Sequence, residues 1–141
     1  PGTDHAKVRI AYQVPTVVAW EGEQASLCGR TLEISFGLEN AAWCQDAERK
    51  TLGLKLRGQV ADPAALATGL HKRVSGTYFD KTKFALGVLA RPEGQWVVPH
   101  YIAEGLRWLE SVVDLETAVE VKAAAEAAAE EVIEGAEKAG V

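Results

Sequence analysis

The feature that most constrains the fold is the run of residues 114–134, which contains no proline or glycine and is dominated by alanine and glutamate. Such a composition has high helix propensity. A single helix from about residue 100 to residue 134 would be roughly 50 Å long, whereas a compact domain of this size has a radius of gyration of about 14 Å. The helix must therefore bend back or project, unless Asp114 caps a second helix.

The centre of this run is alanine, which buries little area but lets another backbone approach closely. Three placements stay open: a solvated helix held by propensity and local charge pairs, packing on its own domain, or an arm that docks on another subunit. We therefore divide the chain into a β-rich globular domain, residues 1–113, that ends in a packed helix, and an Ala/Glu-rich helical arm, residues 114–141. The candidate oligomerisation residues of the arm are Leu115, Val119, Ala125, Ala129, Val132 and Ile133.

Several apolar stretches of the first domain predict strands. Two of them alternate apolar and polar side chains, which is typical of half-buried strands. A third is mostly apolar and is followed by a turn and a return strand. Residues 7–20 predict an edge strand, or two short strands joined at a bend, because Pro15 cannot donate to a ladder. The other predicted strands are 31–38, 51–58, 83–90 and 95–98.

Helices are predicted in two places. Asp62 is a good N-cap and Pro63 suits the first helical position, so a short crossing helix is expected at about 62–74. From about residue 100 a second helix carries an apolar stripe that should cover a sheet, with Tyr101, Trp108 and Val112 beside it. The stripe consists of Ile102, Leu106, Leu109 and Val113.

These elements predict an α+β fold. We expect a mainly antiparallel sheet or a small sandwich of five or six strands, crossed by one short helix and followed by a long C-terminal helical region. Asn40 could cap a further short helical turn, although a plain loop fits the sequence nearly as well.

The net charge of −5 conceals a segregation of charge. Residues 1–48 carry 3 basic and 7 acidic groups, residues 49–107 carry 10 and 4, and residues 108–141 carry 2 and 9. The basic middle segment suits contact with an acidic flank of another copy, an ordinary solvated surface, or the phosphates of single-stranded nucleic acid. The candidate interaction residues are Arg49, Lys50, Lys55, Arg57, Lys72, Arg73, Lys81 and Lys83.

No known catalytic motif is found, and no metal or cofactor is expected. The histidines are scattered, and Cys28 and Cys44 form no CxxC pair, so they are expected to be free thiols, although a disulfide between them is open. His100 with Glu104, and His71, are the available acid and base groups, and each is explained more simply as a residue of a helix surface or terminus.

The stretch from Arg30 to Gly76 resembles bacteriophage virion proteins, notably tail-tube subunits. It has the same order of an alternating strand (RTLEISFGLEN), a tryptophan (Trp43), a second alternating strand (ERKTLGLKLRGQV) and a helix opened by Asp62 (DPAALATGLHKRV). The resemblance implies a β-sandwich with one flanking helix that joins others edge to edge into rings. The Ala/Glu-rich C-terminal region departs from that pattern, so a capsid decoration protein fits the sequence equally well.

Together these observations predict a non-enzymatic structural subunit of a symmetric homo-oligomer, of the tail-tube or capsid decoration type. A single-stranded nucleic-acid-binding module that uses residues 49–107 is the alternative. No apolar run is long enough to span a membrane and no secretion signal is recognisable, so we expect the virion, or the cytoplasm if the protein is not viral.

Overall fold

The computed structural model describes residues 8–92, 94–113 and 122. They form helices and a two-stranded antiparallel sheet, which confirms the α+β class, but the described residues form no sandwich. In chain order the elements are β1 (Thr16–Trp20), β2 (Glu23–Leu27), α1 (Leu32–Glu39), α2 (Ala41–Gln45), a 3₁₀ helix (Ala47–Leu52), α3 (Pro63–Val74), α4 (Lys81–Leu89) and α5, which is described over residues 100–113.

The β1–β2 hairpin is the only sheet of the described chain, and β1 begins directly after Pro15. Its turn residues Glu21 and Gly22 both have positive φ, 50° and 82°. Two successive residues of that kind make a type I′ turn, whose twist matches that of the flanking strands. The register pairs Thr16 with Leu27, Val18 with Ala25 and Trp20 with Glu23. The predicted strand at 7–20 is therefore confirmed only in its second part.

The prediction of a strand at 31–38 is wrong, because these residues form α1. The Thr31 hydroxyl caps the helix by accepting a hydrogen bond from the Ile34 N–H (3.4 Å). All six residues from Glu33 to Leu38 are buried, the polar ones included. A helix that is buried on all sides has no single apolar stripe, so its sequence can alternate as a strand does.

The predicted strands at 83–90 and 95–98 are also wrong. The first stretch lies in α4, where the Asp80 carboxylate accepts a hydrogen bond from the Lys83 N–H (2.9 Å) and only Phe84 and Val88, one turn apart, are buried. A short apolar run does not by itself distinguish a strand from a helix. The stretch at 95–98 forms no strand.

The prediction at 51–58 is wrong in part. The stretch begins in the 3₁₀ helix and continues from Leu54 as irregular chain, not as a ladder strand. The predicted alternation holds in part, since Leu52 and Leu54 are buried and Arg57 is exposed, whereas Lys55 and Leu56 are both half-buried. Side chains replace the missing neighbouring strand, as described below.

The crossing helix predicted at about 62–74 is confirmed as α3 (Pro63–Val74). The Asp62 carboxylate accepts a hydrogen bond from the Ala65 N–H (2.7 Å), and Leu66, Leu70 and Val74 are buried along one face. This face packs against α1. The ring of Phe36, on α1, lies at the centre of an aromatic cluster, 5.4–5.9 Å from the rings of Phe84, Trp96 and Trp43.

Helix α5 is attached to the end of α1. The Glu39 carboxylate accepts a hydrogen bond from the His100 N–H (2.7 Å). Just before the helix, the Asn40 amide both accepts from the Val97 N–H (2.7 Å) and donates to the Val97 carbonyl (2.9 Å). Asn40 precedes α2 as the sequence suggested, but its side chain makes no N-cap hydrogen bond to that helix. It binds Val97 and donates to the Phe36 carbonyl (3.0 Å) at the end of α1 instead. The position where α5 starts is therefore fixed by the core.

Candidate interaction surfaces

Four of the eight predicted basic residues line one groove of about 410 Å³ between α3 and the irregular chain after the 3₁₀ helix. We call this the basic groove. Lys55 and Arg57 belong to the irregular chain, and Lys72 and Arg73 to the last turn of α3. The other lining residues are Leu56, Gln59, Val60, Ala65 and Gly69. Leu56, Val60 and Ala65 give the groove an apolar floor between two cationic walls.

Side chains hold the irregular wall of the groove in place. The Gln45 amide donates to the Leu54 carbonyl (3.1 Å) and accepts from the Leu56 N–H (2.8 Å), as a neighbouring strand would. Further along, the Trp20 indole N–H donates to the Val60 carbonyl (2.9 Å). Gly69 lets the wall approach α3, since a Cβ there would lie 2.4 Å from Leu56 Cδ1. The irregular wall of the groove is therefore held in place by the rest of the fold.

The groove is strongly positive, because no carboxylate is among its lining residues. Arg73 is oriented by a hydrogen bond from its Nε to the Gly53 carbonyl (2.7 Å), and Lys55 Nζ donates to the Gln45 carbonyl. Neither bond neutralises a charge. Within the described residues, Arg57 and Lys72 have no carboxylate within salt-bridge distance. An anionic partner would therefore find four cations here, although Lys55 also interacts with the Asp46 carboxylate and helps to lower its pKa.

The structure does not bring the other four predicted residues into the groove. Lys81 lies 3.4 Å from the buried carboxylate of Glu33. Burial raises the pKa of Glu33, but the Thr31 hydroxyl, its own backbone N–H and Lys81 together outweigh burial, and the pKa lies below its ordinary value. Lys50 and Lys83 are exposed elsewhere.

Arg49 is neutralised by Asp46 and Glu48, whose carboxylates lie 3.2 and 3.1 Å away. The backbone N–H of Glu48, with a smaller contribution from Arg49, holds the pKa of Asp46 below its ordinary value. Arg49 also lies over the Trp43 ring at 5.6 Å, and Arg91 lies 6.0 Å from the same ring. Such stacking supports the fold and leaves Arg49 less available to a partner.

A second surface is formed by α5, where the sequence prediction of a covered stripe is wrong. Leu106, Leu109 and Val113 are 56%, 50% and 52% exposed. We call these three residues the α5 face. The half-buried side of the helix is instead the neighbouring row Tyr101, Gly105, Trp108 and Val112. Burial raises the pKa of Tyr101, as expected for a phenol on that packed row.

The chain that precedes β1 lies beside this half-buried row. A Cβ at Gly105 would be 3.3 Å from the Ala11 side chain, and residues 9–12 line a small cavity with Tyr101. Ile10 and Tyr12 are themselves 47% and 59% exposed. The surface around α5 is therefore extensively apolar.

The candidate acid and base groups lie apart from the basic groove. His100 Nε2 is 3.2 Å from Glu104 Oε1, on the exposed first turn of α5. His71 lines a separate cavity of about 220 Å³ with Cys28 and Arg30. Both cysteines are free thiols: Cys28 is exposed, whereas burial raises the pKa of Cys44 to about 12.

Comparison of the chain with protein-family models, curated proteins and solved structures gave no match. Among the helices that the structure describes, none is long and apolar enough to cross a membrane. The predicted arm residues Leu115, Val119, Ala125, Ala129, Val132 and Ile133 lie outside the described residues.

Proposed function

We propose that this chain is a non-enzymatic structural subunit that assembles into a symmetric homo-oligomer. The observation that supports it best is the α5 face, three large apolar side chains in one helical row that are each about half exposed. An amphipathic helix normally packs such a row against a partner. Contiguous apolar surface of this kind marks interaction sites in soluble proteins.

The energetics favour association. Burying a leucine or valine side chain fully contributes about 1.5–3 kcal/mol, and each side chain of the α5 face still exposes about half of its surface. In a two-fold symmetric contact the same row is buried twice, once on each copy. A second α5 face is therefore a suitable cover for the first.

The test is the double variant Leu106→Asp/Leu109→Asp, examined by sedimentation equilibrium over a range of protein concentrations. We expect the wild-type chain to be oligomeric. The variant should associate roughly 100-fold more weakly, because a carboxylate placed in an apolar contact costs on the order of 3 kcal/mol. Its circular dichroism spectrum should stay unchanged, since both positions are exposed.

Helix α4 supplies a matched control. Leu86 and Leu89 have the same spacing as Leu106 and Leu109 and are 62% and 73% exposed. The variant Leu86→Asp/Leu89→Asp should associate as the wild type does. A wild-type chain that is monomeric at every concentration would overturn the proposal, as would equal dissociation by both double variants.

A virion component is the narrower form of this proposal and rests on the resemblance of residues 30–76 to tail-tube subunits. Of the elements that carry the resemblance, the structure has α3 after Asp62, whereas α1 replaces the first alternating strand. Genes for phage structural proteins beside the gene for this chain would support the narrower form. Housekeeping genes on both sides would count against it.

The second candidate function, binding of single-stranded nucleic acid, is supported by the basic groove. Its four cations suit phosphates, but none of its lining residues is aromatic, so bases would have no ring to stack on within it. This candidate predicts salt-dependent binding of an oligonucleotide that Lys55→Glu and Arg57→Glu weaken.

A further inference from the structure

We propose that the basic groove receives the acidic Ala/Glu-rich segment, residues 115–134, of a second copy of this chain. The proposal rests on the proposed function, because it specifies a contact made once copies have assembled. It assigns the groove a partner of defined chemistry: an acidic segment whose centre is alanine.

The groove has the form that such a segment needs. Lys55 and Arg57 stand on one wall and Lys72 and Arg73 on the other, with apolar side chains between them. The Nε of Arg73 is held by the Gly53 carbonyl at 2.7 Å, which leaves its two terminal nitrogens for a carboxylate. An oriented guanidinium of this kind binds a carboxylate with two parallel hydrogen bonds.

The acidic segment is complementary in charge and in pattern. Residues 115–134 contain six glutamates and one lysine. In the helix that the sequence predicts, Glu126, Glu130 and Glu134 would share one row, with carboxylates about 6 Å apart. Ala125 and Ala129 would lie in the adjacent row, where their small side chains would allow close approach to the apolar floor of the groove.

A second copy is the favoured source of the segment because of where the segment begins. It continues from α5, and α5 carries the face that we propose to lie against the neighbouring copy. Association through α5 would bring residues 115–134 of one copy to the surface of the other. In a two-fold symmetric pair each copy would then fill the groove of its partner.

Nucleic acid is less favoured for this site. The groove offers cations and an apolar floor, but none of its lining residues is an aromatic on which a base could stack. Sequence-tolerant binding of single strands depends on such stacking for much of its affinity. An acidic protein segment uses both the cations and the floor, so it accounts for more of what the groove contains.

The test uses carbodiimide, which joins an amine to a carboxylate only when the two are in contact. Full-length chains labelled with ¹⁵N and unlabelled chains are mixed, allowed to exchange, treated, and digested for mass spectrometry. We expect cross-links from Lys55 or Lys72 to glutamates within residues 115–134, with labelled and unlabelled peptides joined in one product. The yield should fall by several-fold in 1 M salt, where the Debye length is about 3 Å.

Charge reversal separates this contact from a folding defect. Lys55→Glu/Arg57→Glu should weaken association by about ten-fold or more. Adding Glu126→Lys and Glu130→Lys to the same chain should restore it in part, since two of the four cations of the groove are then exchanged with their partners while Lys72 and Arg73 remain. The matched control is Lys50→Glu/Lys83→Glu, which reverses two exposed cations outside the groove and should leave both association and cross-links unchanged.

The outcomes distinguish this inference from the proposed function. An oligomer that Leu106→Asp/Leu109→Asp dissociates, but that shows no cross-link to Lys55 or Lys72, overturns the inference and leaves the proposed function standing. Cross-links confined to peptides of one isotope would place the segment in the groove of its own chain and overturn it also. So would an oligonucleotide that binds the groove while those cross-links are absent. A wild-type chain that is monomeric throughout overturns both.

Discussion

The end of helix α1 contacts the start of helix α5, yet the two helices differ in how far their apolar residues are buried. Every residue of α1 from Glu33 to Leu38 is buried, including a carboxylate, a serine and a glycine. Helix α5 has a regular apolar row, but Leu106, Leu109 and Val113 remain about half exposed. The helix with the weaker amphipathic pattern is therefore the one inside the protein.

An amphipathic pattern shows which side of a helix needs a partner, but it does not show that the same chain provides one. Helix α1 needs no pattern, because α3, the hairpin and the aromatic side chains around Phe36 surround it. Within the described residues, helix α5 is held at its start by Glu39 and Asn40, and along one row by the chain before β1. In its other apolar row, Leu106 and Leu109 remain about half exposed.

The largest expected effect on stability comes from replacing a leucine with alanine in the interior, and the same replacement on α5 is its counterpart. Leu70→Ala removes a fully buried side chain that packs on Gly37 of α1. We expect the free energy of unfolding to fall by about 3–4 kcal/mol, as for other leucines in closed cores. Urea unfolding followed by circular dichroism measures it.

Leu109→Ala is the counterpart on α5. It should change the free energy of unfolding by less than about 0.5 kcal/mol, because the side chain is half exposed. It should instead weaken association. If both substitutions destabilise the folded chain equally, α5 belongs to the interior and the contrast between the helices is broken.

The elements that the sequence predicted correctly carry local signals. Helix α3 has its N-cap at Asp62, its proline at the first position, and leucines that share one buried face. Helix α1 lacks such a face and α4 buries only Phe84 and Val88, so a short apolar run looked like a strand. Whether an apolar run is surrounded by other side chains depends on residues far away in the sequence. The pattern of the run itself does not show it.

The basic groove was likewise predictable only in part. The sequence identified Lys55, Arg57, Lys72 and Arg73 as cations of a basic segment, but not which cations are neutralised. Lys81 is paired with Glu33, which is distant in the sequence, and no spacing rule reveals the contact. Gln45, which holds the groove wall, also gave no signal, because its role depends on two backbone groups of the irregular chain.

A smaller effect concerns the carboxylate inside the interior region. Glu33→Gln keeps the shape of the side chain and removes its charge, so the pairing with Lys81 is lost. Since the Lys81 side chain is 64% exposed, we expect a loss of about 1 kcal/mol or less at neutral pH. Urea unfolding measured between acidic and neutral pH provides the value.

The pH dependence identifies the cause. The folded pKa of Glu33 is lowered, so its stabilisation is complete above the unfolded pKa of about 4.3 and is lost as the pH falls through the folded pKa. Stability of Glu33→Gln should therefore fall less steeply on acidification than that of the wild type. Equal slopes would show that the ionised carboxylate does not stabilise the interior.

A further effect lies in the hairpin and decides whether this element unfolds together with the interior. Glu21 has a positive φ of 50°, which side chains other than glycine and asparagine adopt at a cost. Glu21→Asn gives the turn the Asn-Gly pair that type I′ turns prefer, so stability should rise by up to about 1 kcal/mol.

Gly22→Ala is the opposite change in the same turn. A Cβ at that position would contact nothing within 4 Å, so any loss of stability comes from its φ of 82° alone. We expect a loss of about 1 kcal/mol. If both changes appear in the global unfolding transition, the hairpin and the interior form one cooperative unit, because a local element that opened separately would not transmit its strain. If neither appears, the hairpin opens independently, and the cooperative interior is confined to the helices around α1.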